Sequence, residues 1–337
     1  MELYQRARED LFEGGTLLYV HGFASSGASG TVRTLRTLLP KTRITAPDLP
    51  VEPSKAMDLL RDICQKESPS VIVGTSMGGM YAEMLHGYDR VLVNPAFCLA
   101  DTILRNNGLG RREFRNPRSD GQTSFLVTKG LLEEFRQCAS RCFEKAPASP
   151  VPGKADEGDG AVYGLFGKRD TLVDTYDLFA SHYGAAIRFD GEHFLNDSAV
   201  VHSLMPVLQW ISDSKSGKAK KSIAVEFDAL QRDSSAVKGF IALSKDYDTT
   251  IIHHPDPRDP SSYSAACRWA DEVIGVPAWN RVMETPMVDC LLSDYLLTRD
   301  TENYGAEGFM GTVLEVGKEP LRSWEEIMDF FEKLGGQ

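Results

Sequence analysis

A serine attacks a carbonyl only when its hydroxyl is exposed, partnered by a base and faced by donors for the developing oxyanion. The run Val71-Ile72-Val73-Gly74-Thr75-Ser76-Met77-Gly78-Gly79-Met80 meets the first condition. It sets Gly74-x-Ser76-x-Gly78 directly after an apolar stretch of strand character and before a helical pattern. A serine on such a sharp strand-to-helix turn has a strained backbone and an exposed hydroxyl, and small residues on both sides let the turn close. A tight turn with a buried serine is the competing reading, and the strand-helix context is what makes the motif specific.

The base and its orienting acid should follow in the order serine, acid, histidine. One apolar run, Ala161–Phe166, is followed by Gly167-Lys168-Arg169-Asp170, and the next, Ala185–Phe189, by Asp190-Gly191-Glu192-His193. Asp170 and His193 therefore sit at the exits of successive strands, where loops of a parallel sheet converge. Asp174 and Asp190 compete with Asp170; His21, His182 and His202 compete with His193. His182 and His202 fall in helical patterns, and Asp190 ends a strand, so Asp170 and His193 are preferred. The oxyanion donors are expected to be the backbone N–H groups of Met77, beside the serine, and of Phe23, in the loop after an early strand. That loop, His21-Gly22-Phe23-Ala24-Ser25-Ser26-Gly27-Ala28-Ser29-Gly30, has P-loop glycine spacing, but Ala28 stands where a phosphate-binding lysine belongs. Its glycines are read instead as letting the backbone approach a substrate.

These residues need a scaffold. Apolar runs at Thr16–Val20, Val71–Gly74, Arg90–Val93, Ala161–Phe166 and Ala185–Phe189 alternate with amphipathic stretches, the pattern of a parallel sheet covered by helices on both faces. With 337 residues, the chain has room for two cores. Apolar content of 42% and charged content of 25% are those of a soluble globular protein, and a net charge of −11 argues against nucleic-acid or anionic-membrane surfaces. No apolar run reaches membrane-spanning length, and the opening MELYQRARED is too polar for a signal peptide. Six scattered cysteines read as reduced thiols, so a cytoplasmic location is expected. The polar stretch Ser212–Ser222, with four lysines, reads as a linker. The expected division is thus 1–211, a linker at 212–222, and a second α/β domain at 223–337. The acid- and proline-rich Ala146–Gly160 reads as a loop.

Taken together, LLYVHGFASS, TAPDLP (45–50), GTSMGGMYAEML (74–85), VLVNPAF (91–97), GKRDTLVD and FDGEHFLND resemble the alpha/beta-hydrolase superfamily, and within it the small YqiA-like esterase branch. The resemblance covers about residues 15–212. It implies a parallel-sheet hydrolase domain with a short lid-like insertion from Asn94 to about Lys145. It also implies a Ser76–His193–Asp170 enzyme that cleaves carboxylic esters or thioesters with no cofactor and no metal. Leu99, Ile103, Leu104, Phe125, Leu126, Leu131, Leu132 and Phe135 would line an acyl pocket or serve as helix core.

Residues 223–337 resemble a degenerate, HAD-like Rossmannoid α/β domain of the small 5'-nucleotidase kind. The resemblance rests on the run from Ile223 to Leu230, and on the stretch from Asp294 through Gly308 to Trp324. By that resemblance Glu226 replaces the nucleophilic aspartate, Asp228 remains as a general acid, Leu230 replaces a hydroxyl residue, and Thr298 and Arg299 replace metal carboxylates, with Asp300 one residue off. No lysine occurs between Lys245 and Lys318 to steady a phosphate. Arg299 is expected to offset Glu226 and Asp228 electrostatically. His253 and His254, with Asp256 and Asp259, hint at a metal site, but their proline-rich loop suggests turn chemistry. The expectation is an esterase acting on a small-molecule acyl ester or thioester, with no nucleic-acid or membrane partner. The C-terminal domain would be a pseudo-phosphatase serving oligomerisation or a protein partner. The alternatives are a non-catalytic binding or regulatory protein, or a phosphatase acting through the second domain.

Overall fold

The computed structural model describes residues 11–106, 108–147, 159–216, 220–231 and 234–335. The chain divides into two compact units, Met1–Lys215 and Ser216–Gln337.

The first unit is built on a six-stranded sheet ordered β2-β1-β3-β4-β7-β8, every neighbour parallel. Its strands are β1 (Thr16–Val20), β2 (Arg43–Thr45), β3 (Val71–Thr75), β4 (Arg90–Val93), β7 (Val162–Gly167) and β8 (Ala186–Phe189). The central strands are buried almost without a break, as a sheet covered on both faces requires. Helix α1 (Gly30–Leu38) follows β1 and buries Val32, Leu35 and Leu38 at helical spacing. Helix α2 (Pro53–Glu67) starts on a proline, where no in-helix amide bond is lost, and stops at Ser68 in the left-handed region. Helix α3 (Met77–Glu83), which carries the residues after Ser76, is buried along its whole length. Between β4 and β7 the chain adds α4 (Leu99–Asn106), an antiparallel hairpin of β5 (Gly110–Glu113) and β6 (Ser124–Val127), and α5 (Lys129–Ala139); α6 (Tyr176–Tyr183) joins β7 to β8.

Because the strands are parallel, their C-terminal ends share one edge of the sheet. The exits of β1, β3, β4, β7 and β8 bring His21-Gly22-Phe23, Ser76, Asn94, Asp170 and His193 to that edge. Residues 148–158 of the acidic loop lie outside the described residues. Its end is anchored: Asp159 pairs with Arg90, whose side chain is fully buried, and with His86. Burial opposes the Asp159 carboxylate, but His86, Arg90 and the Gly87 and Gly160 amides outweigh it and hold its pKa far below the ordinary range.

The expected linker begins inside α7 (Met205–Ser216) and ends where β9 starts at Ser222; residues 217–219 lie outside the described residues. The second unit carries a five-stranded parallel sheet ordered β11-β10-β9-β12-β13. The strands are β9 (Ser222–Glu226), β10 (Asp248–His253), β11 (Val282–Glu284), β12 (Tyr295–Thr298) and β13 (Thr312–Glu315). Helices α8 (Ser234–Asp246), α9 (Ser262–Trp269) and α10 (Trp324–Gly335) accompany it. Trp324, Ile327 and Phe331 of α10 form a buried stripe against Ile223, Val225 and Phe240. The Trp324 indole N–H donates to the Ala229 carbonyl, so the buried ring keeps a partner. Among the described residues, no helix is long and apolar enough to cross a membrane.

Candidate active site

Ser76 occupies the turn between β3 and α3 with φ 55 and ψ −117, a backbone conformation that L-residues rarely adopt. The neighbouring glycines explain how the turn is held. A Cβ on Gly78 would stand 2.0 Å from the Val20 carbonyl oxygen, and one on Gly74 would stand 2.2 Å from the Gly78 carbonyl oxygen. Glycine at both places lets α3 lie against β1 and lets the chain double back over Ser76. Gly22 serves the facing loop: a Cβ there would approach the Ser76 Cβ to 3.3 Å.

The structure brings Ser76, His193 and Asp170 together. His193 Nε2 lies 2.9 Å from Ser76 Oγ, and His193 Nδ1 lies 2.7 Å from Asp170 Oδ2. A carboxylate only accepts, so Nδ1 carries the proton and Nε2 is left to accept from the serine hydroxyl. Asp170 is fixed in turn: its Oδ1 accepts the amides of Leu172 (2.8 Å) and Val173 (3.1 Å). The side chains of His193 and Asp170 are 8% and 4% exposed, so the pair is shielded from water.

The rivals lie elsewhere. Asp190 pairs with Arg169. His182 stacks on Phe143 at 4.2 Å. The side chain of His202 is outside the described residues. His21 is buried and latches its own loop: Nε2 accepts the Leu49 amide at 3.1 Å, and Nδ1 donates to the Gly22 carbonyl at 2.9 Å. Burial lowers its pKa, which keeps it neutral and able to make both bonds.

Phe23 follows that latch, and Met77 is the first residue of α3, where the amide has no acceptor within the helix. Phe23 itself packs edge-on against Phe125 (5.3 Å) and Phe135 (6.0 Å) of the insertion.

Sequence reasoning missed two residues here. Asn94, at the β4 exit with φ 44, is 1% exposed. Its Nδ2 donates to the carbonyls of Glu192 and His193, both at 3.0 Å, while its Oδ1 accepts the Gly167 amide at 2.8 Å. It thus ties the histidine loop to the end of β7. Asp48 accepts the Gly27 amide (2.8 Å) and the amide and hydroxyl of Ser119 (2.6 and 2.7 Å), joining the early loop to the insertion. Burial raises the Asp48 pKa, but the Ser119 and Gly27 bonds prevail and hold it below the ordinary range. The only signals in the sequence were an Asn directly after a strand and an Asp in TAPDLP.

A cavity of about 450 Å³ opens on Ser76 and His193. Of the eight apolar residues proposed as pocket or core, Leu99 and Ile103 line it. Leu131, Leu132 and Phe135 are core, and Leu104 and Leu126 are exposed at 43% and 60%.

The second unit holds a different cluster at the ends of its strands. Glu226, 3% exposed, has both oxygens engaged: Oε1 with His254 Nε2 at 3.1 Å and Oε2 with the Thr298 hydroxyl at 2.5 Å. His254 Nδ1 also faces the Thr285 carbonyl at 2.9 Å, and the ring stacks on Tyr304 at 3.7 Å. Both nitrogens face acceptors, an arrangement that favours the charged ring. Among the described residues, Glu226 pairs with His254 and not with the expected Arg299, whose Nε is buried with no hydrogen-bond partner among them. The turn reading of the His253–Pro260 loop holds for Asp256 and Asp259, which cap the amides of Arg258 and Ser261, but not for His254. Asp300 accepts the Glu302 and Asn303 amides and shapes its own loop. Among the described residues, no three His, Cys, Asp or Glu side chains gather as a metal site.

Among solved structures, the chain is similar to a marine microorganism esterase at 11% identity, with 58% of this chain and 93% of that chain covered and a TM-score of 0.37. It is similar to Est1E from Butyrivibrio proteoclasticus at 13% identity, with 61% and 88% covered and a TM-score of 0.39. It is also similar to the thioesterase domain from the curacin biosynthetic pathway at 15% identity, with 58% and 90% covered and a TM-score of 0.36. Residues 16–147, which contain both the HGF loop and the Ser76 turn, match the model of the Uncharacterised protein family (UPF0227).

Proposed function

We propose that the first unit is a serine hydrolase that cleaves carboxylic esters or thioesters through an acyl-enzyme on Ser76. The observation that carries this reading is the unbroken hydrogen-bonded line Ser76–His193–Asp170 at a strained strand-to-helix turn. His193 Nε2 takes the hydroxyl proton as Ser76 Oγ attacks the carbonyl carbon, and Asp170 stabilises the imidazolium so formed. The amides of Phe23 and Met77 would receive the oxyanion. The imidazolium then protonates the leaving alcohol or thiol as the carbonyl re-forms, and a water activated by the same histidine releases the acid. Each step uses groups of this chain and water alone.

In this reading the second unit is a degenerate HAD-like domain that no longer transfers phosphoryl groups. Glu226 is buried and both its oxygens are held, one by His254 and one by the Thr298 hydroxyl, which weakens and fixes it as a nucleophile. A panel of acyl esters, acyl thioesters and phosphate monoesters, assayed on the wild type and on Ser76→Ala, tests both parts. The acyl substrates should be hydrolysed by the wild type only, and no phosphate should be released. Phosphate release that survives Ser76→Ala would contradict the reading.

A further inference from the structure

Beyond the His21 latch, the loop that carries Phe23 is held from outside. Ala24, the next residue, has φ 56, a left-handed conformation that a non-glycine residue keeps only where its surroundings enforce it. The insertion supplies that enforcement. The Arg115 amide donates to the Ala24 carbonyl at 2.8 Å. Asn116 Nδ2 donates to the Ser25 hydroxyl oxygen at 3.1 Å. The fully buried Ser26 hydroxyl donates to the Pro117 carbonyl at 2.7 Å and accepts the Ala28 amide at 3.1 Å. Asp48 then bridges the Gly27 amide on one oxygen and the Ser119 amide and hydroxyl on the other. Residues 24, 25 and 26 thus meet 115, 116 and 117 in step, and 27 reaches 119 through a carboxylate.

Two further contacts complete the seam. The Arg118 guanidinium donates to the Leu49 carbonyl at 3.1 Å, and the Leu49 amide is the one that His21 accepts. The Phe23 ring packs on Phe125 and Phe135, so the insertion grips this residue by its side chain as well as through its chain neighbours. A donor whose direction is fixed before the substrate arrives costs no reorganisation when the oxyanion forms.

We propose that the insertion segment 115–119, bracketed by Asp48, positions the Phe23 amide for the oxyanion, which makes Asp48 and Ser26 positioning residues of the reaction. The insertion then governs the rate as well as lining the cavity. The proposal rests on the hydrolase reading of Ser76. It is tested with Asp48→Asn, which leaves one acceptor oxygen for three donors, and with Ser26→Ala, which removes one buried hydroxyl. On p-nitrophenyl acetate, kcat should fall about tenfold to a hundredfold, at or below the 10²–10³ that outright loss of a donor costs, with KM nearly unchanged. The inhibitor 1,1,1-trifluoro-2-octanone adds Ser76 Oγ at its carbonyl carbon, the hydroxyl proton passing to His193, and so presents a tetrahedral oxyanion. Its inhibition constant should rise by the same factor as kcat/KM falls. A purely structural role would lower the melting temperature and leave both constants in place.

Amide hydrogen exchange of the intact chain asks the same question without turnover. In Asp48→Asn, exchange should quicken at Gly27 and Ser119 and spread to Ser25 and Arg115, whose own acceptors the substitution leaves untouched. In Ser26→Ala it should spread to the same two from Ala28. If the wild type hydrolyses no acyl ester but exchange spreads in this way, the strap stands and the hydrolase reading falls. With an active wild type, unchanged kcat in a folded variant, or an inhibition constant that does not follow kcat/KM, overturns the strap. So does quickened exchange that stops at the amides directly freed, whatever the activity. Should Asp48→Asn fail to fold, Ser26→Ala decides alone.

Discussion

At the scale of single residues, the account depends on three side chains in one line and on a fourth that aims them. Ser76→Ala and His193→Ala should each lower kcat on an ester substrate by at least about a thousandfold, because each removes a participant in proton and acyl transfer. Asp170→Asn should cost up to about 10⁴, since an amide at that place favours the wrong imidazole tautomer. Retention of a tenth of wild-type turnover in Ser76→Ala would remove it as the nucleophile. Asn94 makes a finer prediction. Asn94→Gly keeps a backbone that tolerates φ 44 but deletes the amide that holds the Glu192 and His193 carbonyls. A histidine displaced by about 1 Å costs of the order of a hundredfold, so kcat should fall well beyond any change in KM. Steady-state kinetics of the folded variant decide this, and an unchanged kcat would show that Asn94 does not position the base.

At the scale of elements, the site is made by strand ends, and close packing between α3 and β1 sets its tolerance. Gly78→Ala puts a methyl into the Val20 carbonyl, so α3 must move away from β1. A cost of about 1–3 kcal/mol is expected from overpacking of this kind. Denaturant titration should show it, together with a loss of turnover; full stability and full activity would mean that the Ser76 turn is less tightly defined than described. The reading of the sequence reached the strand exits because their signals are local. Apolar runs end at Val20, Gly74, Phe166 and Phe189; the second leads into the Ser76 turn and the others into polar loops. It did not reach Asn94 or Asp48, whose partners lie 73–99 and 21–71 residues away along the chain. A carboxamide or carboxylate that straps loops together looks, in one sequence, like any other polar residue after a strand. Leu104 and Leu126 fit an apolar pattern yet face solvent, because a helix edge and a two-stranded hairpin leave one side uncovered. The pairing of Glu226 with His254 was hidden in the same way: proline-rich surroundings pointed to a turn, and only the register of β9 beside β10 sets the two side chains together.

At the scale of the whole molecule, two units carry two polar clusters, and the proposed chemistry uses the first. The second should respond to pH through His254. Burial works against the charged ring, but the Glu226 carboxylate and the Thr285 carbonyl outweigh it and raise its pKa above the ordinary value. Its stabilising contribution is therefore fully present below the unfolded value, about 6.5, and is lost as pH rises through the raised folded value. Calorimetric scans of the intact chain from slightly acid to alkaline pH should show the second unit melting progressively earlier, and His254→Gln should flatten that trend. A pH trend equal in the variant and the wild type would contradict the ion pair. Magnesium should leave the same transition unmoved, since a ligand stabilises only a state that binds it.

The central claim, that Ser76 is an activated nucleophile, is tested most directly by treating the intact protein with a fluorophosphonate and locating the adduct by peptide mass spectrometry. The account predicts one stoichiometric adduct, on Ser76, formed rapidly in the wild type and at a small fraction of that rate in His193→Ala. Folded protein that stays unlabelled, or that is labelled at another residue, would contradict it.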